Sequence, residues 1–436
     1  MFVLALVGIA VGVGNLWGFA ALANDNGGGA FVLVYLIALV SVGLPLLMAE
    51  ILIGCAGRLS PVNTARRLTH LARRNALWIG VGWFGSYAGM LVLAYLAVFA
   101  SWSMYYVGVT AFGNLAGRDV AAASTLFDVY TASAWRVIVG QTLFIAVTVA
   151  LARRGVAFID VLTRRLMPVA LGLFVLLILF AIAVGDVGAA LGNLFVPRWH
   201  DLHLIGVLIA LGQAIFTIGI ALGAVMAYAS YLPMGVSIPR TAAAAVGLDA
   251  LLTIGAGIVT VPLLFAVGVD ADGGVPALFV AIPWALAQLP LGAFAGIVLF
   301  VLIVLVALVA AVALLEPLLA YLIEEYNANR SRAAISLGVL AWLIGLGCVF
   351  SFGSDRGLLL GATFFELIVR LVHGWLLPLG ALGVALYAVV VVSRAARETH
   401  LPLPRGAAWL WTWWLRVVVP LALIVLFAGA LLQQYL

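Results

Sequence analysis

Three acidic residues stand inside long apolar runs of the sequence and are the first candidates for chemistry. They are Glu50, Asp249 and Glu316. A carboxylate in such a run is costly to bury unless it meets a cation or hydrogen-bond donors, so each marks a functional or a bracing position. For Asp249 we favour a role as a cation ligand, with a structural hydrogen-bonding role as the alternative. For Glu50 and Glu316 we favour capping or bracing of interrupted helices.

The histidines do not suggest catalysis. They are expected in loops or near the ends of apolar runs, and they are His70, His200, His203, His373 and His400. No HExxH spacing occurs, and an enzyme inside a membrane would need a nucleophile with a base or a metal cluster. We therefore expect that the chain is not an enzyme and that it carries no organic cofactor.

The elements that position the acidic residues are predicted to be membrane-spanning helices. Of the 436 residues, 66% are hydrophobic and only 8% are charged, with a mean hydropathy of +1.27. A span needs roughly 20 apolar residues, and its backbone groups must be satisfied within the segment, which favours helices. The predicted fold class is an all-α polytopic membrane protein with about eleven transmembrane helices.

These helices are assigned to the apolar runs. The runs are 1–22, 29–54, 78–112, 136–151, 156–184, 204–231, 241–268, 291–323, 333–350, 364–393 and 408–434. The first run has no basic region before it and no small-residue cleavage site, so it is interpreted as a retained span. A short amphipathic stretch at 274–288 is interpreted as a loop helix.

The basic residues predict the orientation of the chain. All 21 are arginine, and a cytoplasmic N-terminus places 16 of them on the cytoplasmic side and five outside. This bias favours a multi-pass protein of the cell inner (plasma) membrane with its N-terminus in the cytoplasm. The net charge of +5 is then a topology signal, and no nucleic-acid partner is expected.

The spans divide into two units that begin alike. We interpret the chain as one transmembrane domain with a first repeat (1–185), a second repeat (204–393) and an extra C-terminal helix (406–436). Because the first unit has five spans, an odd number, the second unit begins on the opposite side of the membrane and is inverted relative to the first. Both units open with a glycine-interrupted span, at Gly8, Gly12 and Gly14 and at Gly212, Gly219 and Gly223. Such pairs point to a midplane binding site in a secondary transporter, with close helix packing as the alternative.

Several sequence segments resemble one known family. They are GIAVGVGNLWGF, NDNGGGAFVLVYLIALVSVGLPLLMAE, GQAIFTIGIALGAVMAYASYL, LLEPLLAYLIEE and RVVVP. Together they resemble the neurotransmitter:sodium symporter family in its bacterial amino-acid branch, over essentially the whole chain. The resemblance implies the inverted-repeat leucine-transporter fold, a 5+5 arrangement with broken helices 1 and 6.

The resemblance also implies a first sodium site. Its ligands would be the carbonyl of Ala10 and the side chains of Asn15, Thr217 and Asp249. Oxygen ligands of this kind suit a small alkali cation. Asp249 stands where many members have asparagine, and in the family a carboxylate there accompanies independence from chloride.

A substrate pocket is implied beside that site. By position its residues would be Ala10, Gly12, Gly14, Leu96, Phe216, Gly219, Leu222 and Leu314. Leu96 replaces the tyrosine that meets the substrate carboxylate in the family, and Tyr95 is turned about 100° away from it. Backbone amides near Gly12 to Gly14 could hold the carboxylate instead. The apolar wall predicts a hydrophobic amino acid as substrate.

The chain departs from the family at the second sodium site. That site would use carbonyls of Gly8, Val11 and Val306 and two hydroxyls, but the hydroxyl positions hold Val309 and Ala310. Three carbonyls without a hydroxyl make a poor cage for sodium. We expect one sodium site rather than two.

The outer gate of the family is also changed. Its arginine and aspartate correspond to Gly18 and Val369, and the loss of both is tolerable where the loss of one is not. Glu366 and Arg370 could form a local ion pair instead.

The predicted function is a sodium-dependent symporter of an amino acid, in contact with the lipid bilayer. Two alternatives stay open: a transporter-like sensor or accessory protein without transport, and a proton-coupled amino-acid transporter that uses Asp249. A homodimer is left open as well.

Overall fold

The computed structural model describes most of the chain. The described residues are 18–267, 277–352, 358–359 and 361–435. Most of the predicted first span falls outside them, and so do six predicted site residues: Gly8, Ala10, Val11, Gly12, Gly14 and Asn15.

The first part of the described chain folds into nine α-helices. They are α1 (Gly18–Asp25), α2 (Gly29–Ala38), α3 (Leu44–Gly57), α4 (Pro61–Leu71), α5 (Gly80–Ala111), α6 (Val120–Ala132), α7 (Ala134–Ala152), α8 (Val156–Val184) and α9 (Val187–Phe195). A π-helical turn, Leu39–Gly43, joins α2 to α3 without a break, and a 3₁₀ turn, Ala76–Ile79, leads into α5.

The second part adds eleven α-helices within the described ranges. They are α10 (Leu204–Phe216), α11 (Ala224–Ser230), α12 (Ile238–Ala266), α13 (Ile282–Gln288), α14 (Gly292–Tyr326), α15 (Arg330–Val349), α16 (Phe364–Val369), α17 (Leu377–Val390), α18 (Arg394–His400), α19 (Arg405–Arg416) and α20 (Val418–Tyr435). A π-helical turn, Ala277–Ala281, precedes α13, and another, Arg370–Leu376, joins α16 to α17. Two short antiparallel strands, β1 (Leu358–Leu359) and β2 (Ala362–Thr363), precede α16.

Polar side chains mark where several helices begin. The side chain of Asp119 accepts a hydrogen bond from the Ala122 amide before α6, and Asn329 does the same for α15. Thr363 and Glu366 form a complete capping box at the start of α16. Such caps satisfy amides that have no partner within the helix.

Nine helical stretches within the described residues are long and apolar enough to cross a membrane. They are Gly29–Gly57, Ala76–Ala111, Ala134–Ala152, Val156–Val184, Ile238–Ala266, Gly292–Tyr326, Arg330–Val349, Phe364–Val390 and Arg405–Gly429. The other two predicted spans are the first, which lies mainly outside the described residues, and the sixth, which is divided between α10 and α11. The predicted all-α polytopic fold is confirmed, and the loop helix expected at 274–288 is present over 277–288.

The two longest helices, α5 and α14, pack antiparallel through the centre of the molecule. At one end a Cβ on Gly296 would lie 2.6 Å from Cγ2 of Thr110, and near the other a Cβ on Gly89 would lie 3.6 Å from Cδ2 of Leu314. Gly296 therefore lets the two helices approach closely at its end of the pair. This pair forms the wall against which the broken sixth span packs.

Candidate functional site

The sixth span is broken at its middle. α10 ends at Phe216 and α11 begins at Ala224, and the residues between them are not α-helical. Gly219 and Gly223 adopt φ values of +65° and +74°, which glycine accommodates without strain, and Ala221 adopts +62°. The predicted interruption at Gly219 and Gly223 is confirmed. Gly212, the third glycine of that pattern, lies within α10 and not at the break.

The break is held by a buried carboxylate from the second span. Oε2 of Glu50 accepts a hydrogen bond of 3.0 Å from the amide of Ala221, and Glu50 is fully buried. A buried backbone amide without a partner would be costly, and Glu50 removes that cost in the unwound segment. The interpretation of Glu50 as a brace of a broken helix is confirmed.

Four buried polar side chains meet beside the break. Oγ1 of Thr217 lies 3.0 Å from both carboxylate oxygens of Asp249, and the hydroxyl of Tyr35 donates to Oδ2 of Asp249 at 3.4 Å. Oγ1 of Thr253 lies 3.5 Å from Oγ1 of Thr217. We call Tyr35, Thr217, Asp249 and Thr253 the carboxylate cluster. Its two sodium ligands implied by the resemblance, Thr217 and Asp249, are thus brought together from 32 residues apart.

The carboxylate cluster is suited to a cation. Asp249 is fully buried, and the hydrogen bonds that reach it come from hydroxyl groups. Among the described residues no Arg or His forms an ion pair with it. A buried carboxylate needs a counter-charge, and oxygen ligands favour a small hard cation such as sodium. Ala10 and Asn15, the other two implied ligands, belong to the part of the chain not described.

Two members of the cluster were not predicted from the sequence. Thr253 follows Asp249 by four residues, so both lie on the same face of α12, and this spacing was a usable signal. Tyr35 is the only polar residue of α2, and its hydroxyl points to a residue 214 positions away. Nothing in the local pattern indicates that contact.

The predicted apolar wall is partly assembled in the structure. A Cβ on Gly89 would lie 2.7 Å from the carbonyl oxygen of Leu222 and 3.6 Å from the side chain of Leu314, so both residues meet α5 there. Leu96 lies two turns further along α5 and is 5% exposed. The wall therefore lies where α5, α14 and the break converge.

Phe216, the last residue of α10, has an unexpected neighbour. Its ring centroid lies 4.4 Å from that of His373, and Nε2 of His373 lies 3.3 Å from the hydroxyl of Tyr95. The expectation that His373 lies in a loop or near a span end is wrong, because it lies well inside the span Phe364–Val390. The expectation holds for His70, His200, His203 and His400, which lie in loops, in short helices or at helix starts.

The positions of the family's second sodium site carry apolar side chains. Val306, Val309 and Ala310 lie on α14 and are 2%, 6% and 4% exposed. None of these side chains has an oxygen that could bind a cation. A second sodium site therefore has no side-chain ligand at these three positions.

The outer-gate positions also lack charge. Gly18 begins α1 and Val369 ends α16. The expected ion pair between Glu366 and Arg370 does not form in the described structure, because Glu366 accepts a hydrogen bond of 2.9 Å from the amide of Thr363. The reason is local, since the capping box uses the carboxylate at the helix start.

The third acidic residue inside a span has a fixed cationic partner. Nη1 and Nη2 of Arg330 lie 3.1 and 2.6 Å from the two carboxylate oxygens of Glu316, whose side chain is 1% exposed. The hydroxyl of Tyr231, just after α11, donates to Glu316 at 3.0 Å, and Nε of Arg330 donates to the carbonyl of Ala152. Glu316 therefore braces the C-terminal end of the broken span, as predicted.

A broken span, a buried carboxylate without a fixed counter-charge among the described residues and many apolar spans define a multi-pass membrane transporter rather than an enzyme. The profile of the sodium:neurotransmitter symporter family matches residues 1–122 and 118–435. The chain belongs to this family, whose members are sodium-dependent membrane symporters.

Individual relatives agree with this assignment. An uncharacterised sodium-dependent transporter of Bacillus subtilis, YhdH, is 32% identical over 98% of this chain and 95% of its own length. A crystal structure of MhsT in complex with L-phenylalanine superposes with a TM-score of 0.88, at 31% identity over 98% of both chains. The mouse sodium- and chloride-dependent neutral and basic amino acid transporter B(0+) is 39% identical over 24% of this chain and 16% of its own length.

Proposed function

We propose that this protein is a symporter that carries a hydrophobic amino acid together with one sodium ion. The observation that carries the proposal is the carboxylate cluster, in which Thr217 and Asp249 present oxygens to a buried position with no fixed counter-charge among the described residues. Sodium would act there as a co-substrate, and we assign its remaining ligands to Ala10 and Asn15.

The choice of substrate is supported by the wall and by the relatives. Leu96, Leu222 and Leu314 are buried and apolar, and Phe216 lies at the break beside them. The MhsT structure contains L-phenylalanine, and the mouse relative is named for neutral and basic amino acids. We assign Ala10, Gly12, Gly14 and Gly219 to the polar end of the same pocket.

A single sodium ion is supported by α14. Val309 and Ala310 supply no hydroxyl where the second site of the family has two. We further propose a cytoplasmic N-terminus in the inner membrane and an inverted pair of repeats, 1–185 and 204–393. The arginine distribution and the broken span at the start of the second unit support this arrangement.

The proposal is tested by ligand binding to the purified protein. A panel of radiolabelled amino acids is measured in sodium and in potassium buffer, at two pH values. We expect sodium-dependent binding of one or more hydrophobic amino acids, with a one-ion dependence on sodium concentration. Binding of no amino acid under any condition would favour a sensor or accessory protein instead.

Variants locate the site. Thr217→Val and Asn15→Ala should each abolish the sodium dependence of binding, and retention in both would show that the site is misplaced. Thr260→Val is the matched control, because its hydroxyl donates to the carbonyl of Ala256 in its own helix and lies outside the cluster. Binding that depends on pH rather than sodium, and loses that dependence in Asp249→Asn, would identify proton coupling.

A further inference from the structure

The tenth predicted span contains a π-helical segment that carries a histidine. α16 ends at Val369, the residues Arg370–Leu376 are π-helical, and α17 continues the span from Leu377. π-helical turns are rare and occur frequently at functional sites. His373 lies in the middle of this turn.

His373 faces the interior of the protein. Its imidazole contacts the hydroxyl of Tyr95, which is 8% exposed, and the ring of Phe216. Further along the same span, a Cβ on Gly380 would lie 2.9 Å from Cβ of Ala221 in the broken span. His373 retains some solvent-accessible surface, and Phe216 next to it is half-buried.

Two contacts connect His373 to separate elements. Its Nε2 lies 3.3 Å from the hydroxyl of Tyr95 on α5, and its ring packs on Phe216 with centroids 4.4 Å apart and planes at 50°. The hydrogen bond fixes the imidazole between α5 and the tenth span. The ring contact then limits where the Phe216 ring can lie, since aromatic rings at this distance attract one another and exclude other positions.

Phe216 lies between the carboxylate cluster and the break. It is the final residue of α10 and stands next to Thr217 of the carboxylate cluster, directly before the unwound segment. The charged outer-gate pair implied by the resemblance is absent, because its positions hold Gly18 and Val369.

We propose that Tyr95 and His373 form a hydrogen-bonded latch that positions the Phe216 ring over the bound amino acid and sets how long the amino acid stays bound. This inference rests on the proposed function. Tyr95 and His373 are positioning residues in it, and Phe216 is the residue they position.

The first test measures the dissociation rate of the tightest-binding amino acid of the panel. Tyr95→Phe removes the hydroxyl of the hydrogen bond. His373→Phe removes the imidazole nitrogens but keeps an aromatic ring that can pack on Phe216. Each should raise the dissociation rate about 3- to 10-fold, as expected for one neutral hydrogen bond. The double variant should be no faster than either single variant, because both remove the same bond. His373→Ala, which also removes the ring contact, should be faster than His373→Phe.

A matched control separates the latch from a general effect on α5. Tyr106 lies on the same helix, is fully buried, and its hydroxyl has no hydrogen-bond partner in the described structure. Tyr106→Phe should leave the dissociation rate unchanged. Unchanged rates in Tyr95→Phe and His373→Phe, or additive effects in the double variant, would overturn the latch.

A second readout does not need a substrate. Diethyl pyrocarbonate modifies histidines, and mass spectrometry can compare His373 with His200, whose side chain is 81% exposed. Tyr95→Phe should increase the relative modification rate of His373 several-fold, because the imidazole loses its partner. Equal rates would contradict the latch even if the protein bound no amino acid, and an increase would support the latch while the proposed substrate failed.

Discussion

Two buried carboxylates of this protein are satisfied in opposite ways. Glu316 lies in the C-terminal part of α14 and is paired with Arg330 through two hydrogen bonds. Asp249 lies beside the break and receives hydrogen bonds from the hydroxyls of Thr217 and Tyr35. A carboxylate that is paired with a fixed cation has its charge balanced and serves as a structural element. A carboxylate that meets only neutral donors can accept a cation that comes and goes.

The largest effect is expected when the fixed pair is broken. Arg330→Met leaves the buried charge of Glu316 without its partner and should lower the free energy of unfolding by about 3–5 kcal/mol. Thermal unfolding in detergent measures this. Arg332→Met, an exposed arginine on the same helix, should change it by no more than about 0.5 kcal/mol. A similar loss in both variants would remove the distinction between the two carboxylates.

The opposite result is expected at the other carboxylate. Sodium at about 100 times its dissociation constant should stabilise the native protein by about 2.7 kcal/mol, and Asp249→Asn should abolish that gain. In potassium, Asp249→Asn should unfold no more easily than the native protein, because it removes a buried charge that has no fixed counter-charge among the described residues. Unfolding curves with and without sodium give both answers. If sodium still stabilises the Asp249→Asn variant, the ion binds at another site.

Glu50 provides an intermediate case. Glu50→Leu leaves the amide of Ala221 without a buried acceptor and should cost about 1–3 kcal/mol of stability. Glu50→Gln keeps a side-chain oxygen and should cost less. Equal losses of stability from the two substitutions would show that the packing of the side chain, and not its hydrogen bond, stabilises the break.

A smaller effect is expected at the edge of the carboxylate cluster. The hydroxyl of Tyr35 donates to Asp249 at 3.4 Å, a long hydrogen bond. Tyr35→Phe should change sodium affinity by less than about 10-fold, or about 0.5–1.5 kcal/mol. Sodium titration of amino-acid binding measures it, with Tyr106→Phe as the control. A complete loss of sodium dependence would make Tyr35 a direct ligand of the ion.

The smallest effect is expected at an exposed ion pair. Nη1 of Arg66 on α4 lies 2.6 Å from Oε2 of Glu325, with side chains 37% and 33% exposed. Arg66→Ala should reduce stability by no more than about 1 kcal/mol, and by less in high salt, because water and ions screen the pair. Unfolding at two salt concentrations tests this. A loss as large as that of Arg330→Met would show that burial does not decide the strength of these pairs.

The sequence alone was sufficient for the fold class and for the bracing roles of two acidic residues, Glu50 and Glu316. Apolar runs predict spans because each spanning helix must present an apolar surface to lipid along its own length. Gly219 and Gly223 predict the break because glycine tolerates the positive φ values that an interrupted helix requires, and both residues have positive φ in the structure. Glu50 and Glu316 were interpreted as braces because an unpaired charge is costly inside a span. These are properties of single residues or single segments.

The contacts between distant segments could not be predicted in the same way. Tyr35 meets Asp249 across 214 positions, and Tyr95 meets His373 across 278. The π-helical turn that carries His373 shifts the register of its span, so helical spacing does not show which face it occupies. The Glu366–Arg370 pair was predicted from spacing alone, and the capping box at Thr363 took its place.

The packing of α3 on α11 has a mechanical consequence. A Cβ on Gly54 would meet the carbonyl of Met226 and Cβ of Ala229, and Sγ of Cys55 donates to the carbonyl of Ala229 at 3.4 Å. Surfaces in such close contact cannot slide past each other without breaking it. We therefore expect α3 and α11 to move together in a transport cycle, with the hinge in the unwound residues 217–223.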